Sequence, residues 1–143
     1  MRLSVTTPRG AIVETEIDEI TAPGTVGEFG VLPGHVPMMA SLKPGVLTYR
    51  ASDRTTILAV GEGFLQVAPT PVGDKTTDRV LVLVEQAQGA PSIDLVGANK
   101  ELGEAEAALT AWKGELDGTY QELLARRDWS LAKIGAAARG KVS

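Results

Sequence analysis

The stretch Gly27–Val46, GEFGVLPGHVPMMASLKPGV, constrains this chain more than any other. Up to Gly45 it holds four glycines, three prolines and the only histidine of the sequence, His35. Glycine and proline at that density specify a tightly turned backbone rather than a helix or a plain strand. The apolar residues between them (Phe29, Val31, Leu32, Val36, Met38, Met39 and Leu42) are too many for a solvated linker. Two readings stand at this point: an ordered, looped-out segment that presents a surface, or an ordinary turn cluster inside a β-domain.

The residues around it favour β-structure. Residues 1–88 break into short runs bounded by Gly, Pro or Asp: Arg2–Thr6, Ala11–Ile20, Val46–Arg50, Thr55–Val60, Phe64–Ala68 and Arg79–Glu85. In the second run Val13, Thr15 and Ile17 alternate with Glu14, Glu16 and Asp18, the period of a half-buried strand. Val80–Val84 is continuously apolar, which predicts a strand covered on both faces. Pro69–Asp78 reads as a polar hairpin tip. Short strands with frequent turn signals predict two packed sheets or a flattened barrel.

Gln86–Ser92 marks a boundary, and the pattern changes after it. Gly89 and Pro91 stop the last strand, and Ser92 is placed to cap a helix starting at Ile93. Leu95, Ala98, Leu102, Ala105, Leu109, Trp112 and Leu116 recur every three or four residues, one apolar stripe on a helix. Gly114–Gly118 reverses the chain, and Tyr120, Leu124, Leu131, Ile134 and Ala138 form a second stripe. These signals predict an α+β chain: a β-domain over residues 1–88, then an antiparallel helical hairpin over residues 92–140. Trp129 lies opposite Leu124 and Leu131 on the wheel, so the seam between the helices cannot bury it; it is expected to pack on the β-domain or on a partner, the alternative being an isolated exposed aromatic. Gly97, Gly103 and Gly114 each cost roughly 1 kcal/mol against Ala in a helix interior, leaving the first helix dependent on packing. Residues 91–122 carry seven acids against two bases, net −5, and residues 123–143 five bases against one acid, net +4. Such segments attract each other when folded back, or reach separately for charged partners.

Composition narrows the function classes. The absence of cysteine excludes disulfides and thiolate chemistry, and one histidine cannot build a zinc site. A net charge of −4 argues against nucleic acid as the main ligand. No apolar run approaches the roughly 20 residues of a membrane span and no signal-peptide pattern opens the sequence, so membrane association is expected only through a protein partner. His35 sits in a turn with no acid or base identifiable beside it, so no catalytic constellation emerges. Gly73-Asp74-Lys75-Thr76 lacks the upstream glycine of a phosphate-binding loop, and Gly61-Glu62-Gly63 lacks the third glycine of a dinucleotide loop. A carboxylate-based enzyme finds no candidate pair among acids that lie on polar faces.

The central stretch resembles the signature of the epsilon subunit of the bacterial F-type ATP synthase, whose mitochondrial counterpart is called delta. The matching positions are Gly27, Glu28, Gly30, Pro33, Gly34, His35, Pro37, Lys43, Pro44 and Gly45, and the resemblance spans nearly the whole chain. It implies a β-sandwich of about ten strands and a non-catalytic central-stalk subunit without cofactor. Such a subunit links gamma to the c-ring, couples proton-driven rotation to ATP synthesis and sits peripherally on the cytoplasmic face of the inner membrane. It also implies that the hairpin, when extended, reaches the alpha and beta subunits and restrains ATP hydrolysis. Carried over by position, Glu28 faces the c-ring and His35 faces gamma, with Val31, Leu32, Pro33, Val36, Pro37 and Met38 as apolar contacts.

Some members of this family bind ATP at the folded hairpin through Ile/Leu-Asp-x-x-Arg-Ala and further arginines. Ile93, Asp94 and Ala98 stand in register here, but Gly97 replaces the arginine. Asp94 has two readings, a ribose contact or an electrostatic role at the helix N-terminus. Arg126 and Arg127 are the phosphate candidates, and Arg127 could equally pair with acids of the first helix. ATP binding is therefore expected to be weak or absent. The alternative function is a nucleotide-sensing module whose hairpin closes over its ligand.

Overall fold

The computed structural model describes residues 1–140. Ten strands precede two helices: β1 (Arg2–Thr7), β2 (Gly10–Glu16), β3 (Glu19–Gly24), β4 (Gly27–Val31), β5 (Met38–Leu42), β6 (Gly45–Ala51), β7 (Arg54–Val60), β8 (Gly63–Val72), β9 (Lys75–Val84) and β10 (Ala87–Gly89), then a single 3-10 turn over Ala90–Ser92, α1 (Leu95–Thr110) and α2 (Gly118–Gly140). One group of strands runs β10-β7-β6-β3 with β4 on β3, and the other runs β5-β8-β9-β1-β2. A single residue pair, Gly24 with Leu42, joins the two groups through β3 and β5. Every pairing is antiparallel except β1 with β9. The expected ten-stranded β-sandwich with a helical hairpin behind it is the fold observed.

Period-two alternation explains the core. Ile20, Ala22, Val31, Leu47, Tyr49, Leu58 and Val60 from one sheet meet Leu3, Val5, Leu42, Leu65, Val67, Val80, Val82 and Val84 from the other. The alternate residues point outward, and the two outer faces have different fates. On the β6–β7 side, Ile57 and Ala59 form a second cluster with Ala90 of the 3-10 turn and with Ala132 and Ala136 of α2; Val46, Ile93 and Trp129 pack against it. Trp129 thus packs on the β-sandwich, as its position on the helical wheel requires. The hairpin is folded down, with α2 lying between the sheet and α1.

Several sequence expectations are corrected. Gly27–Val46 is not mainly loop: β4, β5 and the start of β6 occupy most of it, and only residues 32–37 and 43–44 are irregular. The Ala11–Ile20 run breaks into β2 and β3 around Ile17 and Asp18. Pro69–Asp78 is strand except at Gly73-Asp74, because β8 and β9 stay paired out to Val72 and Lys75. Pro69 and Pro71 fit there because β5 pairs with β8 only as far as Val67, so their side of the ribbon needs no N–H donor. Within the Gln86–Ser92 boundary run, Ala87–Gly89 pairs with β7. The helix cap is Asp94 rather than Ser92: the Gly97 N–H donates to Asp94 Oδ1 at 3.1 Å.

The hairpin seam also differs from the two stripes. Ala98 and Ala105 are the buried residues of α1, while Leu116, 73% exposed, and Leu131 and Ala138 lie outside any seam. In α2 the buried residues are Ser130, Ala132, Ala136 and Ala137. The helices pack side by side in antiparallel sense, with Trp112 and Tyr120 5.7 Å apart at one end and Lys133 Nζ 3.2 Å from Glu101 Oε2 further along. That ion pair is the interhelical one among the described residues; Arg127 pairs with its neighbour Asp128 at 3.0 Å, not with an acid of α1.

Two positions give stability tests. A Cβ on Gly63 would overlap the Leu83 carbonyl, and that contact is backbone on a central strand. Gly63→Ala is expected to cost at least about 3 kcal/mol and to lower Tm by roughly 10 °C in calorimetry. Ser130 Oγ is fully buried and has no hydrogen-bond partner among the described residues. An unsatisfied hydroxyl costs about 1–3 kcal/mol, so Ser130→Ala should slow amide exchange in both helices by about fivefold or more.

Candidate functional site

The irregular segment between β4 and β5 is a built turn. The His35 N–H donates to the Leu32 carbonyl at 3.1 Å, closing a four-residue turn with Pro33 and Gly34 at its centre. Gly34 has φ of 85°, the value that a type II turn demands at its third position, and Pro33 supplies the fixed φ of the second. The Gly34 N–H then donates to Asp78 Oδ2 at 2.6 Å, anchoring the turn to β9 across 44 residues of sequence. The His35 ring is half-buried, and its Nδ1 lies 2.8 Å from the Val36 carbonyl oxygen. In the neutral ring that contact places the proton on Nδ1 and leaves Nε2 as an acceptor.

The remaining loop residues divide by burial. Leu32, Pro33, Val36 and Pro37 are exposed, Leu32 at 57% and Val36 at 70%. Val31 is 1% exposed and belongs to the sandwich core, so it cannot supply the partner contact expected of it. Met38 is half-buried and packs against the same core. Alternation along β4 causes this: Phe29 and Val31 point in, Glu28 and Gly30 point out. Glu28 is exposed on the outer face of the sheet that carries α2, and its carboxylate lies 3.5 Å from Arg139 Nη2. It stands at the opposite end of β4 from the His35 turn, about 10 Å away at 3.3 Å per residue.

Sequence reasoning missed a third surface. Val80–Val84 read as covered on both faces, but only Val80, Val82 and Val84 are buried. Register places Met39, Gln66 and Leu81 in one row across β5, β8 and β9, and Ser41, Phe64 and Leu83 in the next. Met39 is 65% exposed, Phe64 52% and Leu83 46%, and with Gln66 and Leu81 they line a shallow groove of about 270 Å³. No helix among the described residues covers this face, unlike the outer face of the other sheet. The continuous apolar run was the signal for it, although no helix among the described residues supplies the cover it calls for.

The residues that resemble the epsilon signature therefore sit on a β-sandwich of the matching architecture, and comparison with known proteins agrees. The family described as ATP synthase, Delta/Epsilon chain, beta-sandwich domain matches residues 1–90. An ATP synthase epsilon chain of Geobacter sulfurreducens is 40% identical over 139 residues, 97% of this chain and 94% of that one. An epsilon chain of Syntrophotalea carbinolica is 39% identical over 140 residues, 98% of this chain and 95% of that one. The chain belongs to the epsilon family of ATP synthases. Among solved structures, a chain in the Euglena gracilis mitochondrial ATP synthase OSCP/F1/c-ring assembly shares the fold at TM-score 0.70 and 23% identity, covering 99% of this chain and 80% of that one. A chain in the Tetrahymena thermophila central stalk/c-ring shares it at TM-score 0.56 and 14% identity, covering 98% and 95%.

Within this epsilon-family chain the nucleotide candidates do not converge. Asp94 is engaged as the cap of α1, and Ala98 is 1% exposed inside the hairpin. Ile93 packs toward the sheet and lines a cleft of about 580 Å³ with Arg54, Pro91, Leu95 and Ala137. The Glu101–Lys133 pairing sets the antiparallel register, which puts Asp94 beside the end of α2. Arg126 and Arg127 are then displaced along the hairpin by roughly 20 Å, at about 1.5 Å per residue. They line no part of that cleft; Arg127 lines another with Pro44, Glu62 and Gln121. A side chain at 97 would also press on the cap, since a Cβ there lies 2.5 Å from Asp94 Oδ2. Calorimetric titration with ATP is expected to show no saturable binding at micromolar concentration, and Gly97→Arg alone should not create it.

Proposed function

We propose that this epsilon-family chain is a non-catalytic subunit of the synthase's central stalk, linking gamma to the ring of c subunits and coupling proton-driven rotation to ATP synthesis. It associates with the membrane through that complex; no helix among the described residues is long and apolar enough to cross a bilayer. The observation that carries the reading is the pairing of a rigid, proline-fixed turn with an uncovered apolar sheet face on the same sandwich. An apolar face left open by its own chain marks a lasting protein contact, with polar residues at its rim. Met39, Phe64, Leu81 and Leu83 supply the apolar centre toward gamma, and Leu32, Val36, Pro37 and His35 supply its edge. Glu28, at the other end of β4, is the contact toward the c-ring. The hairpin restrains ATP hydrolysis when it leaves the sandwich, and its alanine-rich contact with β6 and β7 is suited to release.

Phe64→Ala should leave the fold intact, because the ring is half in solvent, and should weaken binding to gamma by about thirtyfold or more, as loss of a central aromatic anchor does. Glu28→Ala and His35→Ala should each shift Tm by no more than a few degrees, exposed changes costing about 0.5 kcal/mol. They should weaken retention of the chain on the gamma–c-ring rotor in pull-down from solubilised membranes. Global unfolding by either change, or full retention of all three variants, would defeat this reading.

A further inference from the structure

Glu28 belongs at once to the surface assigned to a partner and to the seat of the folded hairpin. Three features place it there. Alternation along β4 turns Glu28 to the outer face of its sheet, beside β3, whose Pro23 it opposes in register. That is the face on which α2 lies, through Ala132 and Ala136 against Ile57 and Ala59. The last turn of α2 then brings Arg139 Nη2 to 3.5 Å from Glu28 Oε2, joining residues 111 positions apart in sequence. Both side chains are about half exposed, so their pairing is weak and reversible, and it is screened by salt.

We propose that Arg139 and the rotor partner compete for the Glu28 carboxylate, so that engagement of β4 by the partner loosens the folded hairpin and the folded hairpin weakens that engagement. The inference rests on the reading of Glu28 as a partner contact. Its physical content is linkage: Arg139 partly neutralises the Glu28 carboxylate, so a basic or N–H donor of the partner gains less from it while the hairpin is folded. Whatever factor the hairpin imposes on partner affinity, the partner imposes on hairpin folding. The pair is an exposed one, which sets the factor at roughly two- to fivefold.

Two measurements on the full chain test it separately. Amide exchange in α2 of the isolated chain is compared for wild type, Glu28→Ala, Arg139→Ala and the double variant. The cycle should show a coupling of about two- to fivefold that fades in high salt, and the swapped pair E28R/R139E should restore protection. Additive single effects, or no rescue by the swap, would overturn the latch. Affinity for the purified gamma–c-ring rotor is then measured for the same set. Arg139→Ala should bind two- to fivefold more tightly than wild type, and it should give no gain in the Glu28→Ala background. If Glu28→Ala weakens binding while Arg139→Ala changes nothing, the competition fails and the partner reading stands. If Glu28→Ala binds as wild type does, both fail.

Discussion

Burial of alternate side chains between two five-stranded sheets determines where every other feature of the chain can lie. Once Leu3, Val5, Leu65, Val80 and Val82 turn inward against Ile20, Leu47, Leu58 and Val60, their neighbours must face outward, whatever their chemistry. On the β6–β7 side those neighbours are Val46, Ile57 and Ala59, and the chain covers them with its own second helix. On the β5–β8–β9 side they are Met39, Phe64, Leu81 and Leu83, and no described helix packs over them. The same alternation turns Glu28 outward and Val31 inward on a strand of five residues, separating contact from core within one short segment.

The hairpin is attached on different terms. Its contact with the sheet is made largely by Ala132, Ala136 and Trp129, and its internal seam by Ala98, Ala105 and Ser130. Alanine removes little apolar area from water, so at about 25 cal/mol per Å² these contacts stabilise the folded hairpin far less than leucines at the same places would. Trp129 supplies the largest side chain in the contact, and Lys133 lies 5.7 Å from its ring centroid while pairing with Glu101. An orphaned buried hydroxyl at Ser130 subtracts from the total. A folded but loosely held hairpin follows from these residues, without appeal to any particular partner.

Much of this was legible in the sequence, and the failures have physical causes. Alternation of Val13, Thr15 and Ile17 and the signature from Gly27 to Gly45 led to the sandwich and to the family. The density of glycine and proline concealed β4 and β5, because two-residue turns such as Thr25-Val26 consume few positions and leave short strands looking like loop. The run Val80–Val84 announced cover on both faces, but periodicity cannot say whether the cover is supplied by the chain or by another molecule. In α2 the stripe followed the large apolar residues, yet Leu131 is 47% exposed while Ala132 and Ala136 are buried. Close approach to a sheet selects small side chains there, and these carry almost no hydropathy signal. The separation of Arg126 and Arg127 from Asp94 depends on the register between two helices, which no single-helix pattern encodes.

The hydrogen bond from Gly34 to Asp78 has a mechanical meaning. A turn of six residues on a free loop would bend under load and store the applied twist locally. Here the apex is fastened by a charged acceptor to β9, which is zipped along its length to β8 and over five residues to β1. A force applied at the turn is therefore carried directly into the longest-paired strands of the sandwich. In the stalk role proposed above, such a joint would pass torque with little elastic lag, and compliance would be left to the hairpin on the other side.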